Sequence, residues 1–349
     1  MKVYLDSSKK WFKANLHCHT TLSDGRATPA TVKEEYKKRG YSIVAFTDHE
    51  HLINSKHLSD PDFLAITGVE LSIAGPKVDT CSPLPSAKQI HINLYAKDPD
   101  CDVTPFYSAK GDWYKFEDVR HLVKPIEIIE RVHSPECLNA LIKRAHELGF
   151  LVSFNHPNWS LETAEDYLSY DGFDFIEVHN TGTKVLGYHN DEAAFNDMMK
   201  AGKRIFCVAT DDNHNYGGFD PSRSDSFGGW TMIRADELEY GKIMDALERG
   251  DFYATTGPEI HSITLDDSGE ESLIRVNSSK VKRMFLLTQG RRTSRALPSV
   301  DEEFMTEGAF KLYPQDCKFR IKVEDEYGRT AYSQIYDIPA DCPRVVIKK

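Results

Sequence analysis

The sequence predicts an α/β fold: a βα barrel over residues 1–259, followed by a small antiparallel β domain over residues 260–349. Three observations carry this expectation. Short apolar runs of strand type alternate with helical stretches, which implies parallel strands joined by right-handed crossovers. Histidines and carboxylates recur at the ends of those runs, where a βα barrel gathers its functional groups. After Thr256-Gly257-Pro258 the helical periodicity stops and short alternating runs take over.

The elements follow in order. Residues 13–19 read as the first strand, ending in Leu16-His17-Cys18-His19. Strand alternation puts both imidazoles on one face and turns Cys18 to the other, toward core packing. Thr28-Pro29 caps and opens a helix that stops at Gly40. Residues 41–46 form a buried-type strand that ends in Thr47-Asp48-His49-Glu50. Residues 63–69 form a third strand ending in Glu70, and residues 90–95 a fourth carrying His91. Residues 76–88 read as a surface loop. Residues 97–131 form a longer insertion with Phe106, Tyr107, Trp113, Tyr114 and Phe116 among charges, either a substrate-facing lid or a surface excursion.

Ser134-Pro135 starts a helix with apolar residues at helical spacing, closed at Gly149. Residues 150–154 are a strand ending in Asn155-His156-Pro157. Residues 173–178 are another, with Glu177 and then His179-Asn180. A helix over 191–200 closes at Gly202, and the strand at 204–209 runs into Thr210-Asp211-Asp212-Asn213-His214. A short strand at 229–233 and a helix at 237–248 complete this part. Beyond it, alternating runs at 260–265, 273–276, 283–288, 318–324 and 330–336 predict a β-sandwich-like unit. Lys280, Lys282, Arg283, Arg291, Arg292 and Arg295 give it a basic cluster, read as a solvated face.

Composition bounds the function. Of 349 residues, 40% are hydrophobic and 28% charged, which reads as a soluble globular protein. A net charge of −11 disfavours long nucleic acid and anionic membrane as partners. Seven cysteines at irregular spacing argue against a disulfide framework, and the polar first residues give no signal peptide. The expectation is a cytoplasmic protein with no membrane span and no obligate protein partner.

The candidate metal ligands are His17, His19, Asp24, His49, Glu70, His91, His156, Asp212 and His214. This mixture of imidazole and carboxylate suits Zn²⁺, Mn²⁺ or Fe²⁺ alike. Nine ligands are too many for one ion. A carboxylate such as Glu70 can bridge two, and close metal pairs clamp both oxygens of a phosphoryl displacement.

Taken together, Leu16-His17-Cys18-His19 with Ser23-Asp24-Gly25, Thr47-Asp48-His49, Gly68-Val69-Glu70, His91, Asn155-His156-Pro157 and Asp212-Asn213-His214 resemble the ordered motifs of the PHP (polymerase and histidinol phosphatase) family over about the first 260 residues. Residues 209–214 and 250–258 are similar to a bacterial branch that includes carbaryl-type ester hydrolases. The resemblance implies a distorted (β/α)7 barrel holding two to three divalent ions. It implies that His17, His19, Glu70 and Asp212 hold the first ion. Glu70 would bridge to a second with His91 and His156. Asp24, His49 and His214 would hold a third. Asp211 stands where the family often has Ser or Thr, and the Asp-x-His spacing favours Asp212 as the ligand.

On this reading a metal-bridging hydroxide attacks phosphorus, with Glu70 and Asp212 at its rim and Asp212 as proton shuttle. Arg223, soon after the last ligand, is the candidate for binding phosphate. His179 is a candidate for touching substrate or protonating the leaving group, against a supporting role behind a ligand. His51, His57, His121, His133 and His146 fall outside every motif and read as surface or helix residues. The leading function is a phosphoesterase acting on a small phosphorylated metabolite or nucleotide. A carboxylic or carbamate ester hydrolase on the same centre, and a non-catalytic PHP-type module, are the alternatives.

Overall fold

The computed structural model describes residues 1–77, 87–108, 120–220 and 222–345. Most of the expected loop at 76–88, and Trp113, Tyr114 and Phe116 of the insertion, lie outside the described residues.

Strand β1 (Lys2–Leu5) opens the chain and β2 (Lys10–Asn15) leads into the first histidine motif. Helix α1 (Pro29–Lys37) begins on Thr28, whose Oγ1 accepts from the Thr31 amide at 3.2 Å. A cap of this kind is worth about 1 kcal/mol. Strands β3 (Ile43–Phe46), β4 (Leu64–Lys77) and β5 (Ala87–Ala96) follow. Helix α2 (Pro135–Glu147) is capped by Ser134 and buries Leu138, Leu141, Ile142 and Ala145. Then come β6 (Phe150–Asn155), the single turn α3 (Ala164–Tyr167), β7 (Phe175–Asn180), α4 (Thr181–Val185), α5 (Glu192–Lys200), β8 (Phe206–Thr210), β9 (Trp230–Ala235), α6 (Tyr240–Arg249) and β10 (Phe252–Thr255).

The strands form one mixed sheet in the order β10-β9-β2-β3-β4-β5-β6-β7-β8. The β2/β3, β3/β4, β6/β7 and β7/β8 pairs are parallel, as alternation with helices requires. The uniform parallel sheet that alternation implies needs correction at four places. Strand β5 is antiparallel to both β4 and β6, and β9 is antiparallel to both β2 and β10. The stretch at 78–86 is too short for the crossover of about a dozen residues that parallel neighbours need, so β4 and β5 pair head to tail.

The backbone ladder stops at β8 and does not close into a ring. Side chains cover that edge instead. Thr231 Oγ1 accepts from the Ala209 amide at 3.2 Å and donates to the Ala209 carbonyl at 3.1 Å. Gln334 accepts from the Cys207 amide at 2.7 Å and donates to its carbonyl at 2.9 Å.

Beyond β10 the chain forms β11 (Ile260–Asp266), β12 (Leu273–Val281), β13 (Arg283–Thr288), β14 (Thr293–Ala296), β15 (Met305–Lys311), β16 (Lys318–Glu324), β17 (Thr330–Tyr332) and β18 (Tyr336–Asp337). One layer has the order β1-β11-β12-β15; the other, β14-β13-β16-β17, continues the large sheet through β10. Ile263, Leu265 and Val276 of the first layer share a buried cluster with Met284, Leu286 and Ile321 of the second. Three of these strands had no expectation from sequence: β1, hidden in a polar N-terminus, and β14 and β15. Three of the six residues of the basic cluster are ion-paired, Lys282 with Glu303, Arg283 with Glu324 and Arg292 with Asp316. No helix among the described residues is long and apolar enough to cross a membrane.

Candidate metal centre

The candidate ligands come together where the parallel strands end. His17 and His19 follow β2, and Asp212 and His214 follow β8. Backbone bonds lace these two segments: the His19 amide donates to the Asn213 carbonyl at 3.1 Å, and the Asp212 amide to the His17 carbonyl at 2.9 Å. Asp48 fixes the first turn, accepting from the Thr20 amide at 2.7 Å and the Ser23 hydroxyl at 2.7 Å. Gly25 is required there, since a Cβ would lie 2.6 Å from the His19 carbonyl carbon. Two ligand residues have left-handed backbone, His156 at φ 28° and Asp212 at φ 51°. For His156, which precedes Pro157, this strain is of order 1–3 kcal/mol and is held by the surrounding structure.

Glu70 sits wholly buried at the centre. Its Oε1 lies 3.3 Å from His17 Nε2, 3.0 Å from His91 Nδ1 and 3.5 Å from His156 Nε2. Its Oε2 lies 3.2 Å from His19 Nε2 and 3.1 Å from His49 Nδ1. Asp212 Oδ1 stands 3.2 Å from His17 Nε2 and 3.1 Å from His19 Nε2. Asp24 Oδ1 is 3.3 Å from His214 Nε2 and 3.8 Å from His49 Nε2. All nine expected ligands are therefore in one connected cluster. Within it, three groups could each hold an ion: His17, His19, Glu70 and Asp212; His49, Glu70 and His91; and His19, Asp24, His49 and His214.

The donor set fits metal. Ligand atoms about 2.1 Å from a tetrahedral or octahedral ion stand about 3.0–3.4 Å apart, and the separations above fall almost wholly in that range. Glu70 Oε2 and Asp212 Oδ1 are buried among the histidines and make no hydrogen bond. Buried polar atoms left unpaired are costly, so their place in the cluster points to a ligand. The electrostatics agree. Burial opposes charge on His19, yet Asp212 and Glu70 raise its pKa to about 10. His17 and His156 are raised in the same way against burial. Burial and the neighbouring His19 push His49 well below its ordinary value. Glu70 and Asp212, despite burial, are held down by the histidines around them. Buried carboxylates of this kind demand compensating cations.

The two aspartates separate cleanly. Asp211 is saturated by Tyr36 OH at 2.8 Å, Thr181 Oγ1 at 2.8 Å and the amides of Phe227, Gly228 and Gly229 at 2.8, 3.0 and 3.2 Å. It anchors the 227–229 loop, and burial raises its pKa to about 6. Asp212 alone faces the histidines.

His179 is not brought to the cluster. Its Nδ1 engages Asn190 Oδ1 at 3.0 Å and its Nε2 Thr181 Oγ1 at 3.2 Å, and burial lowers its pKa to about 4. Both ring nitrogens are committed within the fold, so the expected contact with substrate needs correction to a supporting role behind Asp211. His51 needs correction too: it is fully buried, whereas His57, His121 and His146 are exposed. Half-buried His133 pairs with Glu162 at 2.6 Å.

Glu177 was the residue sequence reading passed over. It is fully buried, and its Oε1 meets His17 Nδ1 at 2.7 Å. Thr210 Oγ1 donates to Oε1 at 2.8 Å and Asn180 Nδ2 to Oε2 at 2.8 Å. The carboxylate thus fixes the tautomer that leaves His17 Nε2 to the cluster. A glutamate at a strand end, three residues before an asparagine, carries no motif that would have shown this.

A cavity of about 430 Å³ opens over the cluster. Asp24, His49, Glu70, His91, His156, Asp212 and His214 form its floor, and Trp159, Val185, Leu186, Tyr216 and Arg223 its walls and mouth. Arg223 is exposed there and makes no ion pair among the described residues.

No family model matches the chain, and no curated protein matches it in sequence. Among solved structures, it is similar to a two-domain protein from Bacteroides vulgatus described as containing a predicted PHP-like metal-dependent phosphoesterase, at 14% identity and a TM-score of 0.41, over 97% of this chain and 98% of that one. It is also similar to an amidohydrolase from Chromobacterium violaceum with bound sulfate and no metal, at 16% identity and a TM-score of 0.34, over 58% of this chain and 87% of that one. At these scores the likeness assigns neither fold nor chemistry to this chain.

Proposed function

We propose that the chain is a metal-dependent phosphoesterase of PHP type, hydrolysing a small phosphorylated metabolite or nucleotide. The observation that carries this reading is Glu70, whose carboxylate lies within 3.5 Å of His17 and His19, of His91 and His156, and of His49, histidines of every proposed ion group. That is the disposition of a carboxylate shared by two cations. His17, His19, Glu70 and Asp212 would hold one ion, Glu70, His91 and His156 a second, and Asp24, His49 and His214 a third, the metal being zinc, manganese or iron. Such ions, when bound, acidify coordinated water and neutralise charge on phosphoryl oxygens. The chain's own groups do the rest. Arg223 at the mouth offers a planar fork of donors to phosphate. Asp212, with Oδ2 held by Asn180 Nδ2 at 3.2 Å, is placed to take up and pass on a proton. Glu177 keeps His17 oriented. The barrel over 1–259 is the catalytic unit on this reading, and 260–349 a β-sandwich-like appendage.

The experiment joins metal content to turnover. Protein made with supplemented metal should carry two to three transition-metal equivalents by elemental analysis. With Mn²⁺ or Zn²⁺ it should hydrolyse phosphomonoesters or cyclic phosphodiesters in preference to aryl carboxylic esters. Glu70→Gln should stay folded by circular dichroism, lose metal and lose turnover by more than the roughly 10–100-fold seen when an outer partner of a ligand is removed. Near-normal turnover and metal content in that variant would overturn the proposal. Hydrolysis of carboxylic esters alone would replace the reaction but keep the centre.

A further inference from the structure

The walls of the cavity differ in chemistry from its floor. Val185, Leu186 and Tyr216 are 59%, 70% and 62% exposed, yet all three line the cavity that holds the ligand cluster. Single exposed apolar residues are ordinary, but several gathered around one concave site mark a surface that a partner covers. Trp159 adds a half-buried ring on another side, its centroid 4.9 Å from that of His91 and 4.8 Å from that of His156. Tyr216 stacks on His214 at 5.8 Å between centroids, with ring planes 10° apart, and the Arg26 guanidinium lies over its ring, 4.9 Å from the centroid. Two aromatic side chains therefore flank the histidines, with the aliphatic pair at the end of α4 also on the wall. Beside this apolar rim stands Arg223, an exposed cation without an ion pair among the described residues. A ligand that satisfies all of this has an anionic head directed to the cluster and Arg223, and a flat apolar body against the walls.

We propose that the substrate is a phosphoester whose alcohol carries a flat apolar ring, seated against Trp159, Val185, Leu186 and Tyr216. The proposal rests on the phosphoesterase reading for the reaction, but not for the binding. Bare inorganic phosphate or a small sugar phosphate would leave the apolar wall in water. A nucleobase shares the flat face, so a nucleotide is the second source of the same chemistry.

The test pairs ligands that differ only in the ring. 2-Phenylethyl phosphate and ethyl phosphate have alkoxide leaving groups of similar basicity, so the ring rather than intrinsic reactivity decides between them. Burial of most of a phenyl ring predicts a kcat/KM ratio of roughly 10–100 in favour of the phenylethyl ester. Phenylphosphonate, which is not hydrolysed, should bind the metal-supplied protein more tightly than methylphosphonate by a similar factor in calorimetry. In the double variant Val185→Ser with Leu186→Ser, both ratios should fall several-fold. These side chains are exposed, so the variant has little reason to misfold. Adenosine monophosphate is the third arm: preference for it over the phenylethyl ester would identify the ring as a base. Ratios near one, or ratios unmoved in the double variant, would overturn the proposal while leaving the phosphoesterase reading intact. Tight phenylphosphonate binding without hydrolysis of any phosphoester would support the ring site and overturn the reaction.

Discussion

At the scale of single residues, the site depends on side chains that face away from substrate. Glu177 meets His17 Nδ1 at 2.7 Å while accepting from Thr210 and Asn180. All of its neighbours donate, so a carboxylate fits and an amide does not. Glu177→Gln would turn an NH₂ group toward one of these donors. We expect a loss of roughly 10–100-fold in metal affinity or activity, the range for outer partners of metal-bound histidines. A chelator competition titration measures it, with Glu177→Asp recovering part of the loss; unchanged affinity in Glu177→Gln would remove Glu177 from the centre. Much of the ligand set could be read from spacing, because a histidine pair at i and i+2 or an Asp-x-His ending a strand constrains geometry locally. Glu177 could not, because its meaning lies in a contact across 160 positions of chain. The Asp-x-His spacing pointed to Asp212, which alone faces the histidines; the anchoring role of Asp211 was out of reach, since the fold brings its donors from Tyr36, Thr181 and the 227–229 loop.

At the scale of elements, packing sets what periodicity leaves open. Alternation and capping pairs located α1, α2, α5 and α6 but not the short α3 and α4, and Thr28-Pro29 and Ser134-Pro135 open α1 and α2 as their chemistry requires. Strand direction was less legible. The reversal of β5 depends on how few residues join it to β4, a length rather than a pattern. The insertion before α2 is tied down by Arg131, which forms a buried ion pair with Glu50, one residue past His49. On the far side, Asp191 at the start of α5 accepts from the Asn158 amide at 2.8 Å and so pins the segment that carries His156. Burial raises the Asp191 pKa from 3.8 to about 7. The sign follows directly. In the unfolded chain Asp191 ionises near pH 4, whereas in the fold it keeps its proton to about pH 7. Stability from this group is full below pH 4 and is lost as pH rises through about 7. Asp191→Asn keeps an acceptor for Asn158 but carries no charge. Its unfolding free energy from urea denaturation should exceed the parent's at pH 8 by a few kcal/mol at most, with the gap closing near pH 4. A gap that widened toward acid would show that the buried carboxylate is ionised in the fold.

At the scale of the whole molecule, the change of texture after Gly257 marks a change of architecture, but backbone and side chains run across it. Strand β10 pairs with β9 on one side and β17 on the other. Strand β1, from the other end of the chain, pairs with β11. Arg320, fully buried, reaches back to Glu192 and to Asn196 at 3.0 and 2.7 Å. Gln334 matters most, because it occupies the place a strand would take beside β8. It gives Cys207 an acceptor and a donor, and donates as well to the Phe252 carbonyl at 3.3 Å. None of this could be read from residue spacing, since the run at 330–336 reads as a strand of the second part and nothing in it says that Gln334 turns to β8. Gln334→Ala leaves a buried amide and carbonyl of β8 without partners, each costing about 1–3 kcal/mol. The expected loss is therefore about 2–6 kcal/mol of global stability, spread over both parts of the chain. Calorimetry should show a single transition for the parent protein and a single transition at lower temperature for Gln334→Ala. If residues 260–349 were an independent unit, the variant would lower one of two transitions and leave the other in place. That result would give the appendage its own stability and would confine the effect of Gln334 to the edge it covers.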